Sequence, residues 1–546
     1  GAYASACSGF SADNGGALVK GPGFEEFLAV PAVITGIWSG VTGGKRIVAY
    51  VSGTDFYTYD FDTHTVTDVG FVSGGKTAMF EFGGFLYLLN TSGYYKYNGA
   101  SLSSVEGYIP LIAVSTTPDG AGTEYESLNM LTPKRRQKFT CDGEAVTYRL
   151  AESGIGAVIS VTLNGTPLNA DEYTADTSAG TVAFAVAPSA GLNNLEIVYA
   201  MASSSRSTIL GCEHAMLFGS NAEERVFLWG NSAVPSCRYH SELADGVPSA
   251  EYFPVMSYTH IGNTAITDIV QQYDRQLIFT KNSAYYSYCE IKTSLTGQVY
   301  VSFPVYPLNP VKGSLVYCGG CTADGMPVTL CGDGVNVWES TLVESQKNAV
   351  CISGAIKKLL APYTQSEFSN VKLFCDIPSS RLFVAVGNVT YIYDIRLKCW
   401  YRLDGITSSR FVSCFGGVYI ASNDKKLYRL TAENNDHTAV YTTHFSDFGS
   451  HRLMNVRDIV LTLKAGENTA GSVTAEWNDQ GKKRTRTESF SVSSAFNGSV
   501  VRLRIPLYIP YADGAAFTFV CPPGKDMTLL GYEVTTNDKG ELPYGI

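Results

Sequence analysis

The sequence has 546 residues, of which 45% are hydrophobic and only 16% are charged, and its formal net charge is -10. This charge argues against a general nucleic-acid binder, because counterion release requires Lys and Arg side chains that face phosphates. No apolar run reaches 18 residues, so we expect no membrane-spanning segment. Short runs of Tyr, Phe, Thr and Val among 54 Gly residues predict an all-β protein rich in turns.

The first residues form a glycine-punctuated segment, 15–24, which we interpret as a lead into the first β-hairpin. The sequence begins at Gly1 rather than at Met, which indicates processing or trimming.

Six hairpins of similar sequence then recur along the chain. Each has two short strands of β-favouring residues, joined by turn residues such as Ser, Asn, Asp or Gly. A single hairpin buries too little apolar surface to be stable, so repetition must supply its neighbours. The paired strands are 46–51 with 56–60, 85–89 with 94–97, 277–279 with 285–288, 328–330 with 335–338, 381–386 with 390–394, and 418–421 with 426–430.

The hairpins are about 35 to 60 residues apart wherever nothing is inserted between them. This spacing suits four-stranded blades arranged radially, so we predict a β-propeller with six or seven blades. A β-sandwich and a solenoid of hairpins remain as alternatives. The propeller is expected to occupy 1–110 with its first blades and 206–435 with the remaining ones.

Between these two parts, 111–205 interrupts the hairpin pattern. Short alternating strands with turn signals predict an inserted small β-sandwich there. A propeller loop accommodates such an insertion because the entropy of loop closure grows only slowly with length.

The last part, 436–546, again contains alternating strands, such as 456–463, 472–477 and 516–520. In 472–477 the apolar residues Val473, Ala475 and Trp477 alternate with polar ones, which indicates one buried face. We expect a C-terminal β domain, either a second sandwich or a sheet that packs on the propeller.

Two basic runs are the candidate contact sites. They have two interpretations, a solvated surface strand or a contact with an anion, which would be DNA phosphate or an acidic partner surface. The candidate residues are Lys134, Arg135, Arg136 and Lys138 in the insert, and Lys482, Lys483, Arg484 and Arg486 in the C-terminal part.

Thirteen scattered Cys residues in strand-like apolar contexts favour reduced, buried thiols and assembly in the cytoplasm over a disulfide framework. Cys318 and Cys321 form the one close pair, which we interpret as a Gly-Gly turn flanked by thiols rather than half of a zinc site. We therefore expect no metal and no cofactor.

The carboxylates that could serve a propeller-type glycoside hydrolase are Asp55, Asp60, Asp274, Asp333 and Asp394. Nearly all of them lie in hairpin turns or at strand ends, where Asp is favoured for turn formation alone. No nucleophile elbow and no phosphate-binding loop occurs. We expect no enzyme and no catalytic residues.

Three segments carry a resemblance to a known family. They are the basic, Pro-Gly, aromatic element of 17–24, the strand 274–280 before a Ser-x-Tyr turn, and the Tyr-Asp strand 392–394 followed by Trp400-Tyr401-Arg402. In these segments and in the order of its parts, the chain resembles the β-propeller proteins of short-tailed phage tails, namely the tail-nozzle (tail tubular protein B-like) and tail-hub or DNA-stabilisation families.

The resemblance implies a virion structural protein of the phage tail, assembled in the host cytoplasm. It implies an oligomeric ring of six copies below the portal and adaptor, which retains the DNA and conducts it during ejection. The implied partners are further copies of the chain, a tail adaptor or portal-proximal protein, tail fibres or spikes, and, transiently, genomic DNA. An acidic or neutral lumen would keep phosphates from sticking. Two other functions remain as alternatives, a carbohydrate- or receptor-binding tail module and a propeller-type glycoside hydrolase.

Overall fold

A computed structural model of the chain describes residues 5–13, 15–219, 224–293, 299–317, 320–340, 348–431, 436–448, 452–479 and 481–541. The chain divides into two compact units. The middle unit is Thr35–Ser314 with Leu342–Gln346, and the terminal unit is Gly1–Ile34, Leu315–Thr341 and Lys347–Ile546. In the described ranges, none of the helices is long and apolar enough to cross a membrane.

Almost all of the regular structure is β. The helices are single short turns, and each follows or precedes a strand without forming a layer of its own. They are the α-helices Arg206–Leu210, Lys357–Leu360 and Gln365–Ser369, and the 3-10 helices Gly354–Ile356 and Ser494–Phe496.

The middle unit contains four four-stranded antiparallel sheets, which we number blades 1 to 4. In sheet order their strands are Ile34–Thr42, Lys45–Ser52, Asp55–Asp60 and Thr65–Phe71 in blade 1; Ala78–Phe82, Phe85–Asn90, Gly93–Tyr97 and Leu102–Ser104 in blade 2; His214–Phe218, Arg225–Trp229, Cys237–His240 and Tyr258–His260 in blade 3; and Ile266–Gln272, Arg275–Thr280, Ala284–Tyr288 and Val305–Asn309 in blade 4. Two small hairpins accompany them, Leu243–Ala244 with Val247–Pro248 and Glu290–Thr293 with Val299–Ser302.

The terminal unit contains three more sets of four antiparallel strands, blades 5 to 7; blades 5 and 7 are separate sheets, and blade 6 is one end of a nine-stranded sheet. Their strands are Cys321–Ala323, Met326–Cys331, Gly334–Trp338 and Ala349–Cys351 in blade 5; Lys372–Asp376, Arg381–Val386, Val389–Asp394 and Cys399–Asp404 in blade 6; and Ser408–Cys414, Gly417–Ser422, Lys426–Thr431 and Gly23–Ala29 in blade 7. Consecutive four-stranded antiparallel sheets of this kind are the blades of a β-propeller. The all-β propeller fold is thus confirmed, with seven blades among the described residues.

All six predicted hairpins are the two middle strands of a blade. The first strand of each hairpin is buried on both faces of the sheet over most of its length, as in Val48 and Ala49 of blade 1 and Leu382 and Phe383 of blade 6, which are fully buried. Burial on both faces explains the continuous apolar runs that made these hairpins visible in the sequence. Blade 3 gave no such signal, because residues 230–236 separate its two middle strands in place of a tight turn.

The opening segment does not lead into blade 1 as predicted. Gly23–Ala29 pairs antiparallel with Lys426–Thr431 and forms the outer strand of blade 7, with Phe24 opposite Leu430. The ring of Phe24 also contacts that of Tyr428, at 6.4 Å between centroids. The partner strand lies about 400 residues away in sequence, so no local signal could have revealed the pairing.

The inserted sandwich packs a six-stranded sheet against a three-stranded one. Its core includes Phe139, Tyr148, Val182 and Ile197, all fully buried. The strands are Thr123–Glu124, Leu111–Thr116, Lys134–Cys141, Gly191–Ala200, Ala157–Leu163 and Thr166–Pro167 in the first sheet, and Thr147–Arg149, Thr181–Phe184 and Tyr173–Asp176 in the second.

One stretch of the insert belongs to the core of its neighbours. Met130 and Leu131 are buried in a cluster with residues of blades 2 and 3, among them Phe80 and Leu228. The side chain of Asn129 donates to the carbonyls of Tyr108 and Glu251, at 2.8 Å each. The insert is therefore attached by packing and hydrogen bonds as well as by its two connections.

The C-terminal part is a sandwich, and the first 20 residues contribute three of its strands. One sheet is Ala6–Ser8, Ala439–Thr442, Ala515–Cys521, Ala470–Asp479 and Lys482–Ser491, and it continues from blade 6 through the pair Ser8 and Arg402. The other sheet is Phe10–Ala12, Leu18–Lys20, Thr528–Glu541, Arg452–Lys464 and Val500–Ala512. The core between them includes Phe10, Leu461, Val473 and Phe519, all fully buried.

Candidate functional site

The first basic run lies on the strand Lys134–Cys141 of the inserted sandwich, and its side chains are engaged within the protein. The guanidinium of Arg135 is only 13% exposed and lies 2.6 Å from a carboxylate oxygen of Glu152. The same oxygen accepts a hydrogen bond from the Tyr199 hydroxyl at 2.9 Å. Lys138 lies 3.5 Å from Glu196. Arg135 is thus part of a half-buried structural ion pair.

Arg136 connects the insert to the chain around it. Its Nε donates to the carbonyl of Ile109 at 2.9 Å, and its Nη2 donates to the hydroxyl of Tyr108 at 2.9 Å. Asp245 lies 3.6 Å away. Lys134, by contrast, has no ion pair among the residues that the structure describes, and its side chain is partly exposed. Lys134 and the loosely paired Lys138 are thus less engaged within the protein than Arg135 and Arg136.

The second basic run lies on the strand Lys482–Ser491, which is the edge of its sheet in the C-terminal sandwich. Lys482 is exposed, Lys483 is 71% exposed and 2.7 Å from Glu476, and Arg484 is 56% exposed. Arg486 lies over the ring of Tyr508, 5.6 Å from its centroid. This run therefore stands at the surface, as its solvated-strand interpretation predicts.

Two further cations that the sequence did not single out are exposed on the facing sheet. Arg502 and Arg504 are each 61% exposed on Val500–Ala512, the edge strand of the facing sheet. Arg504 is hydrogen-bonded to the buried carboxylate of Asp458, and this bond lowers the pKa of Asp458. These two arginines alternate with Val501 and Leu503, so the sequence shows no basic run here. Because side chains in a strand point alternately to opposite faces, both arginines lie on the same exposed face.

We call the six cations Lys482, Lys483, Arg484, Arg486, Arg502 and Arg504 the basic edge. Five carboxylates lie among them, namely Glu476, Asp479, Glu488, Asp458 and Glu533. The surface therefore combines many charges with a small excess of positive charge. Five of the six cations lie near a carboxylate, so the surface provides few unpaired cations for an anionic partner.

Two of the carboxylates considered for hydrolysis, Asp60 and Asp394, hold turns. Asp60 accepts hydrogen bonds from the backbone N–H groups of residues 62 and 63, at 2.8 and 3.2 Å. Asp394 does the same for residues 396 and 397, at 3.0 and 2.9 Å. Asp333 accepts from the side chain of Asn336 and Asp55 from that of Thr54, while Asp274 is 90% exposed. Asp55 and Asp60 are the two ends of one strand of blade 1, and the other three lie in three further hairpins. The structure joins no pair of the five by a described hydrogen bond.

The twelve described cysteines are free thiols, of which Cys141, Cys212, Cys237, Cys331 and Cys521 are buried and Cys351 is exposed. Burial raises the pKa of Cys521 to about 11, so this thiol is uncharged at neutral pH. Cys318, one member of the close pair, lies outside the described residues. Within those residues, no group of three His, Cys, Asp or Glu side chains could hold a metal ion.

No protein-family model and no curated protein matches the sequence. Among solved structures, a chain of the crystal structure of the mitotic checkpoint complex is 9% identical, with a TM-score of 0.34, over 74% of this chain and 93% of that one. A chain of the crystal structure of BBS1N in complex with ARL6DN is also 9% identical, with a TM-score of 0.25, over 78% of this chain and 97% of that one. We draw no conclusion about function from likenesses at this level.

Proposed function

We propose that this chain is a structural protein of a phage tail, which assembles into a ring below the portal or adaptor. The ring, a nozzle or a hub, retains the packaged DNA and later conducts it out of the particle. In this role the protein acts mechanically and carries out no reaction.

The observation that carries this proposal is the order of the parts. Blades 1 and 2 come first, then the inserted sandwich, then blades 3 to 7, and then a sandwich that both ends of the chain build together. The same order of parts underlies the resemblance of the sequence to the tail-nozzle and tail-hub proteins. Asp60 and Asp394, which a hydrolase would need free, are occupied in turns, and this favours a scaffold over a catalyst.

The charges support passage of DNA rather than tight binding. The chain has a net charge of -10, and carboxylates lie among the cations of the basic edge. Like charge raises the energy of close contact with the phosphate backbone, so DNA that touches such a protein leaves it easily. We extend the proposal to the neighbours in the particle, an adaptor or portal-proximal protein and tail fibres or spikes.

Electron microscopy of the purified full chain, with light scattering in parallel, tests the ring. We expect closed rings of identical subunits with an axial channel wide enough for a DNA duplex to pass. A chain that stays monomeric at every protein and salt concentration would contradict the proposal. Glycan-binding and glycosidase assays would then distinguish the two alternative functions.

A further inference from the structure

Three β-hairpins of the terminal unit meet around a cavity of about 510 Å³. This volume falls within the range of about 300 to 1,000 Å³ that is typical of small-molecule sites. We call it the three-hairpin cavity. Each hairpin contributes one pair of residues that stand opposite each other on adjacent strands, namely Ser11 with Val19 near the N-terminus, Asp376 with Arg381 in blade 6, and Ser413 with Val418 in blade 7.

Ser11 reaches the cavity because side chains alternate along its strand. Phe10 packs in the core of the C-terminal sandwich, so the next side chain, that of Ser11, points to the opposite face of the strand and lines the cavity. Ser11 is 6% exposed, and its hydroxyl has no hydrogen-bond partner among the described residues. Leaving a buried hydroxyl without a partner is unfavourable, so this group is available to hydrogen-bond a ligand.

Arg381 is the charged donor in the same wall. Its guanidinium lies over the ring of Tyr401, with 5.9 Å between Cζ and the ring centroid. No described residue accepts a hydrogen bond from this guanidinium, its Nε included, or forms an ion pair with it. A planar guanidinium with unoccupied donors matches the oxygens of a carboxylate or a phosphate group.

The carboxylates opposite Arg381 in the sheet are occupied by other groups. Asp376 and Asp394 stand opposite it on the two neighbouring strands. Asp376 accepts hydrogen bonds from the N–H and the hydroxyl of Ser379 and from the hydroxyl of Ser413, the last at 2.5 Å. Asp394 accepts two backbone N–H groups of the turn that follows it. Both carboxylates therefore hold the hairpins in position, and the guanidinium is left to an acceptor from outside the chain.

The rest of the wall sets the charge and the polarity of the cavity. Among the described residues its charged members are two cations and two carboxylates, Lys20, Arg381, Asp13 and Asp376. The ammonium group of Lys20 donates to two backbone carbonyls, and Asp13 accepts two backbone N–H groups. Apolar side chains, among them Val19, Val418 and Leu430, also line the cavity. The wall therefore suits a ligand with an apolar body and one anionic group.

We propose that the three-hairpin cavity binds a small organic anion, a carboxylate or a phosphate ester, with an apolar body. The anionic group pairs with Arg381, Ser11 donates a further hydrogen bond, and the body packs against Val19, Val418 and Leu430. Carboxylates and phosphates offer a guanidinium the same kind of acceptor, so experiment must distinguish them. The site lies within one copy of the chain and does not depend on the proposed ring.

Ligand-observed NMR titrations of the full chain, at constant ionic strength, test the site with three probes. Benzoate carries a carboxylate, phenyl phosphate carries a phosphate, and benzamide is a neutral analogue of benzoate. We expect benzoate, phenyl phosphate or both to bind at least about tenfold more tightly than benzamide, because only an anion pairs with the guanidinium. The anion that binds more tightly identifies the group that the cavity prefers.

Two variants locate the binding in the cavity. Arg381→Met should weaken binding of the anions about 10- to 100-fold because it removes a charged donor, and Ser11→Ala about 2- to 10-fold because it removes a neutral one. Arg429→Met is the control, since Arg429 precedes Leu430 in the chain but does not line the cavity, and it should bind like the wild type. Circular dichroism checks that each variant is folded, and Ser11→Ala tests the site even if Arg381→Met unfolds.

Three results would overturn the proposal. If benzamide binds as tightly as both anions, the cavity does not select a negative charge. If the anions bind equally to the wild type and to the folded Arg381→Met and Ser11→Ala variants, they bind elsewhere on the chain. If none of the probes binds even at millimolar concentration, the cavity takes no small organic anion. None of these results bears on the ring, which electron microscopy tests separately.

Discussion

At the residue scale, Arg238 of blade 3 is a buried charge held by neutral groups. Arg238 is fully buried, yet no carboxylate pairs with it in the described part of the chain. Its guanidinium donates to the side chain of Gln276, to the Ser287 hydroxyl at 2.9 Å and to the Phe303 carbonyl at 2.7 Å. Burial lowers its pKa to about 9, which still leaves it charged at neutral pH. Since Gln276 and Ser287 are on blade 4, this side chain joins two blades.

We expect Arg238→Met to lower the free energy of unfolding by about 2 to 4 kcal/mol. The methionine fills much of the same volume, but it leaves the three acceptors without a donor, and each buried orphan costs about 1 to 3 kcal/mol before the surroundings relax. Urea unfolding monitored by circular dichroism measures the change. Arg429→Met is the matched control, because Arg429 is 47% exposed and paired loosely with Glu25 at 3.6 Å. If Arg238→Met and the control had equal free energies of unfolding, the hydrogen bonds of the buried guanidinium would not contribute to stability.

At the element scale, the strands of the first 29 residues hold together parts that are distant in sequence. Gly23–Ala29 completes blade 7, and Ala6–Ser8, Phe10–Ala12 and Leu18–Lys20 join the two sheets of the C-terminal sandwich. Lys20 fixes the last of these strands, since its ammonium group donates to the carbonyls of Pro522 and Lys525, at 2.9 and 2.8 Å. The N-terminal strands should therefore unfold together with the sandwich.

Phe10 is the anchor of these strands. It is fully buried in the core of the sandwich, so we expect Phe10→Ala to destabilise the protein by about 3 to 5 kcal/mol, the range for a buried aromatic ring replaced by a methyl group. Hydrogen exchange should show faster exchange in the strands Leu18–Lys20 and Thr528–Glu541, which pair with each other. Phe496→Ala is the control, because Phe496 is 51% exposed in a short 3-10 helix. Unchanged exchange in Phe10→Ala would mean that the N-terminal strands are not needed to close the sandwich.

At the scale of the whole molecule, the charge balance bears on the proposed passage of DNA. The chain has 50 acidic and 40 basic residues, and several of the 40 are committed to ion pairs such as that of Arg135 with Glu152. Cations committed in this way release fewer counterions from a duplex than unpaired ones do. A protein that conducts DNA benefits from this, because phosphate contacts that are individually weak do not stop the passage.

We expect the full chain to bind a 30-base-pair duplex with a dissociation constant weaker than about 10⁻⁴ M at physiological salt, the weak end of non-specific binding. Fluorescence anisotropy at 50 and 200 mM salt measures the affinity and its salt dependence. We expect a shallow slope, because only a few cations contact phosphates. Binding in the micromolar range with a steep salt dependence would instead identify the basic runs as a dedicated DNA site.

The sequence by itself determined the blade hairpins and the order of the parts. The first middle strand of each of these blades is buried over most of its length, which favours apolar and aromatic residues, and the tight turns that follow favour Asn, Asp, Ser or Gly. Blade 3 was missed because its middle strands lack such a turn. The same local chemistry explained why Asp60 and Asp394 end their strands, and the hydrogen bonds of both side chains fit that interpretation.

Tertiary structure alone decided which strands complete each sheet and which charges remain available. The pairing of Gly23–Ala29 with Lys426–Thr431 depends on hydrogen bonds between distant backbones, which leave no periodic trace in the sequence. The two basic runs are similar in sequence, yet the side chain of Arg135 is largely buried against Glu152, whereas that of Lys483 is exposed on an edge strand. Burial and the position of partner carboxylates set the availability of a charge, and both are properties of the folded surface rather than of the run itself.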